Sequence, residues 1–172
     1  AQTEAMTLGD RIVIMKDGFI QQVGTPQQVF DHPANLFVAG FIGTPQMNFF
    51  DGSLVKHDGR YFIETDGLSV ELSEDKQQRL AAKDVAEQQV TVGVRPEHVI
   101  IGQSGIPAKV DVSEMMGSSV HLHMSALGGD MIAIVPLNGE AAHYPMGMDV
   151  KLSFGGHVVH VFSKDGNKNL EW

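Results

Sequence analysis

Short segments that alternate apolar and polar residues, separated by glycine turns, constrain the fold of this chain more than any other feature of its sequence. Three such segments cover residues 52–57, 60–65 and 68–72, with Asp58-Gly59 and Asp66-Gly67 between them. A period of two places apolar side chains on one face of a strand. Asp-Gly supplies the positive φ angles that a tight hairpin turn needs. This region is therefore predicted to be antiparallel sheet.

The same pattern continues through the second half of the chain. A helix is predicted from Ser73 toward Lys83, because Glu74 and Asp75 suit the positive end of a helix dipole. Further strands are predicted at residues 90–94, 108–113, 119–126, 131–136, 150–154 and 157–162. Many short strands around one helix favour a small closed barrel of the OB type. The expected fold class is mainly β, with one or more OB-like antiparallel barrels.

The first part of the chain has a different pattern. Its predicted elements are a hairpin of residues 11–15 and 19–23 around Asp17-Gly18, a helix from Pro26 to Phe30 with Thr25 as N-cap, and a helix from Pro33. Gly43-Thr44-Pro45 ends that helix and begins a linker. The sequence therefore divides into a hairpin-plus-helices segment, residues 1–45, and a β-rich domain, residues 46–172.

Composition excludes several classes of protein. With 42% apolar and 19% charged residues, the chain has the composition of a soluble globular protein. Its longest apolar runs, residues 36–42 and 131–137, are far shorter than the roughly 20 residues that span a bilayer. A net charge of −9 disfavours a nucleic-acid partner. The absence of cysteine removes thiolate metal sites and nucleophiles.

Motifs for nucleotide chemistry are missing from the sequence. A phosphate-binding loop ends in Gly-Lys-Ser/Thr, and no Gly-Lys dipeptide occurs in the 172 residues. We therefore predict no catalytic residue and no cofactor-binding residue. The Gly155-Gly156 pair lies between alternating flanks, and we interpret it as a two-residue hairpin turn.

Histidines and one charged motif remain as candidates. His121 and His123 share a strand face, and His157 and His160 are placed on the predicted neighbouring strand, so a zinc cluster is conceivable. Without cysteine or a nearby carboxylate we favour a half-exposed strand face and predict no metal site. Arg95-Pro96-Glu97-His98 follows a strand, where Arg95 could pair with Glu97 or hold a carboxylate across an interface. The alternative is a polar turn fixed by Pro96; if the motif has a function, domain docking is favoured over catalysis.

Several strings in the sequence resemble one protein family. The strings are residues 4–18, Val23-Gly24-Thr25-Pro26, His32-Pro33-Ala34, residues 37–45, Met47-Asn48-Phe49, residues 93–98, Gly117-Ser118 and His160-Val161-Phe162. Together they resemble the C-terminal part of the ATP-binding subunit of carbohydrate-uptake ABC transporters, of the maltose and glycerol-phosphate importer type. The family's usual ending has an Asp where this chain has Ser163.

The resemblance implies a function for each segment. Residues 1–45 would be the end of an ATPase domain, and residues 46–172 a non-catalytic regulatory and dimerisation domain with a TOBE module. ATP and magnesium would belong to the full subunit, which would lie in the cytoplasm at the inner face of the membrane. Its implied partners are a second copy and the membrane subunits, and a metabolic regulator protein is a further candidate. Candidate interface residues from the matching motifs are Met47, Asn48, Arg95, Pro96, Glu97, His98, Gly117 and His160.

Two apolar segments of the chain predict contacts with other chains. We expect self-association through the strands after Ile106, since residues 132–135 are an apolar run. We also expect residues 3–42 to pair with another chain, because a hairpin without its ATPase core leaves Ile12, Ile14 and Phe37 uncovered. The alternative function is an OB-like module that binds a small anion or oligosaccharide, although the sequence contains no basic cluster for an anion.

Overall fold

The computed structural model describes residues 10–137 and 143–172, so the part of the predicted first segment before residue 10 lies outside the described residues. The strands are β1 (Ile12–Lys16), β2 (Phe19–Gly24), β3 (Asn48–His57), β4 (Arg60–Thr65), β5 (Leu68–Glu71), β6 (Gln88–Val94), β7 (Ile100–Gly102), β8 (Ile106–Met115), β9 (Ser119–Ala126), β10 (Gly129–Pro136), β11 (Asp149–Ser153) and β12 (His160–Ser163). The helices are α1 (Pro26–Asp31), α2 (Leu36–Phe41) and α3 (Glu74–Ala82), and a 3-10 helix covers Pro96–His98.

Two five-stranded sheets contain most of the strands. Their orders are β12-β6-β3-β4-β5 and β10-β9-β8-β11-β7, and the neighbouring strands are antiparallel. The turn between β3 and β4 has positive φ at Asp58 and Gly59, 52° and 76°, as a tight hairpin turn requires. The prediction of antiparallel sheet from alternation and Asp-Gly turns is confirmed.

One hydrophobic core is shared by the two sheets. Alternate residues of β9, including Val120, Leu122 and Met124, are buried and belong to the same cluster as Leu54 of β3 and Val92 of β6. Burial of every second residue is what an antiparallel sheet with one covered face produces. The predicted mainly-β, OB-like fold is therefore confirmed.

The chain crosses between the sheets at Gly155-Gly156, and the interpretation of this pair as a hairpin turn was wrong. β11 pairs with β8 and β7, whereas β12 pairs with β6 in the other sheet. A Cβ atom added at Gly156 would lie 1.9 Å from the backbone oxygen of Glu71. Glycine is needed here because two backbones approach closely, and not because a tight turn requires it.

The first described segment forms the predicted hairpin and two short helices. Thr25 caps α1, accepting from Gln28 N at 3.1 Å while the Gln28 side chain accepts from Thr25 N. The second helix starts later than predicted, because Asn35 caps it by accepting a hydrogen bond from Val38 N. Pro33 precedes that cap and does not begin the helix.

Residues 10–42 dock onto the sheets of the same chain. Ala39 of α2 packs with Met47 and Phe162, and Leu36 N donates to Gly166 O at 2.9 Å. Asn169 donates from its backbone to Ala34 O and from its side chain to Pro33 O, each at 2.9 Å. The expected pairing with another chain is therefore not needed to cover this face of the segment. The division at residues 45 and 46 stays a prediction.

No helix in residues 10–137 and 143–172 has the length and apolar character that crossing a membrane requires.

Candidate functional site

Arg95 joins the β-rich part of the chain to the first segment. It follows β6 directly, and its residue is only 2% exposed. Its guanidinium donates from Nη1 to Ile42 O at 2.9 Å and from Nη2 to Phe30 O at 3.0 Å. The guanidinium carbon lies 3.8 Å from the centre of the Phe30 ring. One side chain therefore holds both short helices of the first segment.

The positions of the two carbonyls explain why an arginine suits this place. Phe30 lies in the last turn of α1, and Ile42 is the C-cap of α2. The last carbonyls of a helix have no partner within the helix and form its negative end. A guanidinium is a planar fork of donors that can satisfy two such carbonyls at once. The geometry therefore supports domain docking as the role of this motif.

The positive charge of Arg95 has no close counterion among the described residues. Every ion pair found there involves other residues, so Arg95 contacts neither Glu97 nor a carboxylate across the interface. Burial lowers the pKa of Arg95 below its ordinary value, although the more distant Glu97 and Asp31 act to raise it. Its Nε is buried without a hydrogen-bond partner in that part of the chain.

Asn48 lies on β3, the strand that pairs with β6, and it links the two sheets. Its side-chain amide donates to Val94 O at 3.1 Å and to Ile132 O at 2.8 Å, and its Oδ1 accepts from Ile132 N at 2.7 Å. Ile132 lies on β10, which is an edge strand of its sheet. An amide that occupies both backbone groups of an edge residue blocks strand addition there. The β10 edge at this position is therefore closed to a second copy.

The other motif residues divide into two groups. Met47 is buried against α2, and Pro96 is buried in the 3-10 helix. His98 and His160 line the same cavity as Arg95. Glu97 is exposed, and Gly117 lies in the turn between β8 and β9 with φ of 85° and open space around it. Most of the predicted residues thus lie near β6 and the 3-10 helix, while Gly117 belongs to the other sheet.

A buried ion-pair network beside this cavity was not predicted from the sequence. Glu171, 1% exposed at its side chain, accepts from Lys76 Nζ at 2.9 Å and from Arg79 Nη2 at 2.9 Å. Arg79 also pairs with Asp75, and hydrogen bonds from Ser73 and Arg79 lower the pKa of Asp75 to about 2 against the effect of burial. The available signal was Lys76 and Arg79 one turn apart on a helix, which places them on one face.

The histidines do not form the conceivable zinc cluster. The neighbours of β9, which carries His121 and His123, are β8 and β10, and β12 with His160 lies in the other sheet. His123 Nε2 lies 3.1 Å from Glu114 Oε1. Within residues 10–137 and 143–172, no three histidines or carboxylates are placed to hold one metal ion. The assumption that His157 and His160 neighbour β9 was wrong, because alternation does not reveal which sheet a strand joins.

Two known domains match overlapping parts of the chain. Residues 43–99 match the MalK OB fold domain, and residues 92–162 match the TOBE domain. The chain is therefore a mainly-β protein with both domains, and Arg95 and His98 lie where the two matches overlap. A crystal structure of the cytoplasmic molybdate-binding protein ModG has a similar fold, with a TM-score of 0.53, 14% identity, and coverage of 67% of this chain and 95% of that chain.

Relatives match most of this chain. The chain is 43% identical over 166 residues to the ABC transporter ATP-binding protein YurJ of Bacillus subtilis, covering 92% of this chain and 44% of the relative. It is 43% identical over 172 residues to the oligosaccharides import ATP-binding protein MsmX of the same organism, covering 95% and 45%. YcjV of Escherichia coli K12 is 36% identical over 167 residues, covering 95% and 44%. The chain is therefore homologous to one part of ABC transporter ATP-binding proteins, and it spans less than half the length of these relatives.

Proposed function

We propose that this chain is the non-catalytic regulatory and dimerisation region of the ATP-binding subunit of a sugar importer. Residues 1–45 are the end of the ATPase domain, and residues 46–172 are the OB-like and TOBE region against which this end packs. The similarity to MsmX, an oligosaccharides import protein, supports sugar as the class of cargo. ATP and magnesium act in the full subunit, at a nucleotide site outside this chain.

The proposed partners and location follow from that assignment. The subunit works in the cytoplasm at the inner face of the membrane, with membrane subunits and a second copy of itself, and a regulator protein of sugar metabolism is a further candidate partner. Nucleic acid is disfavoured by the net charge of −9.

One observation carries the proposal: the first segment is fixed to the barrel on one side and uncovered on the other. Arg95 holds α1 and α2 from the barrel side. On the hairpin, Ile12 and Ile14 are buried, while the outward residues are exposed, with Met15 at 54% and Ile20 at 62%.

The outward apolar face of the hairpin consists of Val13, Met15, Ile20 and Val23, because the cross-strand pairs Val13–Val23 and Met15–Ile20 lie on the same side. A continuous apolar face on a two-stranded sheet marks an interface. The body of an ATPase domain is the partner that such a hairpin would complete.

The experiment compares this chain with the full subunit obtained by extending the reading frame upstream of Ala1. Calorimetric titration with Mg-ATP should give saturable binding to the full subunit and none to this chain. Low-micromolar binding to this chain alone would contradict the proposal.

Variants test the uncovered face directly. Met15→Ser with Ile20→Ser should lower the Tm and ATPase rate of the full subunit while leaving the Tm of this chain nearly unchanged, because these side chains are exposed here. Ile100→Ser with Met146→Ser, at exposed positions outside the hairpin and outside β8, is the matched control. Equal effects of the two pairs on the full subunit would show that the hairpin face does not dock the ATPase body.

A further inference from the structure

A cavity of about 240 Å³ lies beside Arg95, between the first segment and the barrel. Its walls come from the end of α1, the start of α3, the 3-10 helix and the chain around β12. Three basic side chains line it, Lys76, Arg79 and Arg95. They are distant in sequence, which explains why the sequence shows no basic cluster.

The three basic residues differ in how their charges are balanced. Lys76 and Arg79 are paired with Glu171, and Arg79 also with Asp75. Arg95 donates only to backbone carbonyls in the described part of the chain, and its buried Nε has no partner there. Buried polar groups in proteins are nearly always hydrogen-bonded, and a buried charge is nearly always paired. The cavity therefore has one positive charge and one donor without close partners.

Four histidines add further donors to the walls: His32, His98, His157 and His160. Burial, and then the positive charges of Lys76 and Arg95, lowers the pKa of His160 to about 3, so its ring is neutral near pH 7. A neutral imidazole still donates one N–H. Because the histidines are not placed to share a metal ion, their donors suit an anion better than a cation.

Two carboxylates, Asp31 and Asp75, line the cavity, and Glu171 lies behind two of its basic residues; they limit the size of the charge that fits. Asp75 is held by Ser73 and Arg79. Asp31 is exposed at the rim and accepts a hydrogen bond from Gln27. Glu171 is occupied by Lys76 and Arg79. Asp31 and Glu97 act on Arg95 from a distance, so among the described residues Arg95 is the basic residue of the cavity that forms no ion pair.

We propose that this cavity binds a phosphate group, either free phosphate or the phosphate of a small monoester, with Arg95 as its charged anchor and His98, His157 and His160 as additional donors. Donors from several sides suit a tetrahedral oxyanion better than a flat carboxylate. A guanidinium forms strong, charge-assisted bonds with phosphate. The Nε of Arg95 is buried, so the anchor acts on the phosphate through the charge of the guanidinium. This site goes beyond the proposed function and does not depend on it.

Calorimetry and ¹H–¹⁵N spectra of the imidazole rings test the site. The chain is titrated with inorganic phosphate and with glucose 6-phosphate at constant ionic strength, with acetate as the comparison anion. We expect saturable binding of one or both phosphates, weaker binding of acetate, and shifts of the His98, His157 and His160 ring signals. Tighter binding of glucose 6-phosphate would support a monoester ligand, and equal binding would support the phosphate group alone.

Variants localise the binding without relying on the docking arginine. His98→Ala with His157→Ala, both at exposed positions, should weaken phosphate binding about tenfold with no change in Tm, whereas the control His121→Ala should bind like the wild type. Arg95→Gln should abolish binding, and its Tm is recorded so that unfolding is recognised. The proposal is overturned by the absence of saturable binding, by binding that the histidine pair leaves unchanged, or by ring shifts confined to other histidines.

Discussion

Glu171→Gln should cost far more stability than loss of an ordinary surface carboxylate. The Glu171 side chain is 1% exposed and accepts from Lys76, itself 8% exposed, and from Arg79. Removing one partner of a buried ion pair leaves an uncompensated charge and costs about 3–5 kcal/mol. A domain has about 5–15 kcal/mol in total, so this loss is a large fraction of the stability.

Thermal and urea unfolding measure the effect. At about 2–4 °C per kcal/mol for a chain of this size, the Tm should fall by about 6–20 °C. The matched control is Glu74→Gln, whose partner Arg60 forms an exposed ion pair, and its cost should be far smaller because solvent screens exposed charges.

A double variant separates the net contribution of the pair from the penalty of an unpaired charge. Lys76→Met with Glu171→Leu should recover most of the lost stability, because replacing both partners by apolar groups is often nearly neutral. If Glu171→Gln and Glu74→Gln unfold at the same denaturant concentration, the buried network does not stabilise the chain as argued.

Three further predictions concern association, pH and the crossing between sheets. Sedimentation should detect a dimer at high concentration, weakened by Val112→Ser with Met115→Ser, since these residues are 55% and 67% exposed; a strict monomer would place dimerisation in the rest of the subunit. Burial depresses the folded pKa of His160 to about 3. The free energy of unfolding should therefore fall by up to about 1.4 kcal/mol per pH unit below pH 6.5, and this fall should be smaller in His160→Gln. Identical pH profiles of the two proteins would contradict this prediction. Gly156→Ala should lower the Tm more than Gly129→Ala, because its Cβ would meet a backbone oxygen at 1.9 Å whereas the Cβ at residue 129 meets nothing; equal Tm values would refute the close approach.

Local signals in the sequence predicted most of the strands and turns correctly. The segment from residue 119 to 126 was predicted with its observed bounds, because alternation and the flanking turns depend only on residues that are close in sequence. Thr25 was identified as a cap for the same reason, since its partner Gln28 is three residues away.

Features that depend on contacts between distant residues could not be predicted. Alternation marks β11 and β12 as strands, but it contains no information about which sheet each one joins. Arg95 was recognised as a docking candidate. Its partners are backbone carbonyls, and these could not be predicted because every residue type has a backbone carbonyl. Lys76 meets Glu171 across 95 positions. The β-sheet could therefore be predicted, whereas the cavity and its charges could not.

Hydrogen exchange of α2 tests most directly the claim that the barrel holds the first segment through Arg95. The amides of Ala39 and Ile42 are bonded within the helix, to Asn35 O and Val38 O, so their protection reports whether the helix is docked. We predict slow exchange that is the same at all protein concentrations. Arg95→Met should accelerate exchange in α2 while strands β8 and β9 stay protected, and the exposed-arginine control Arg60→Met should change neither. Fast exchange of α2 in the wild type, or protection that appears only at high concentration, would contradict the account.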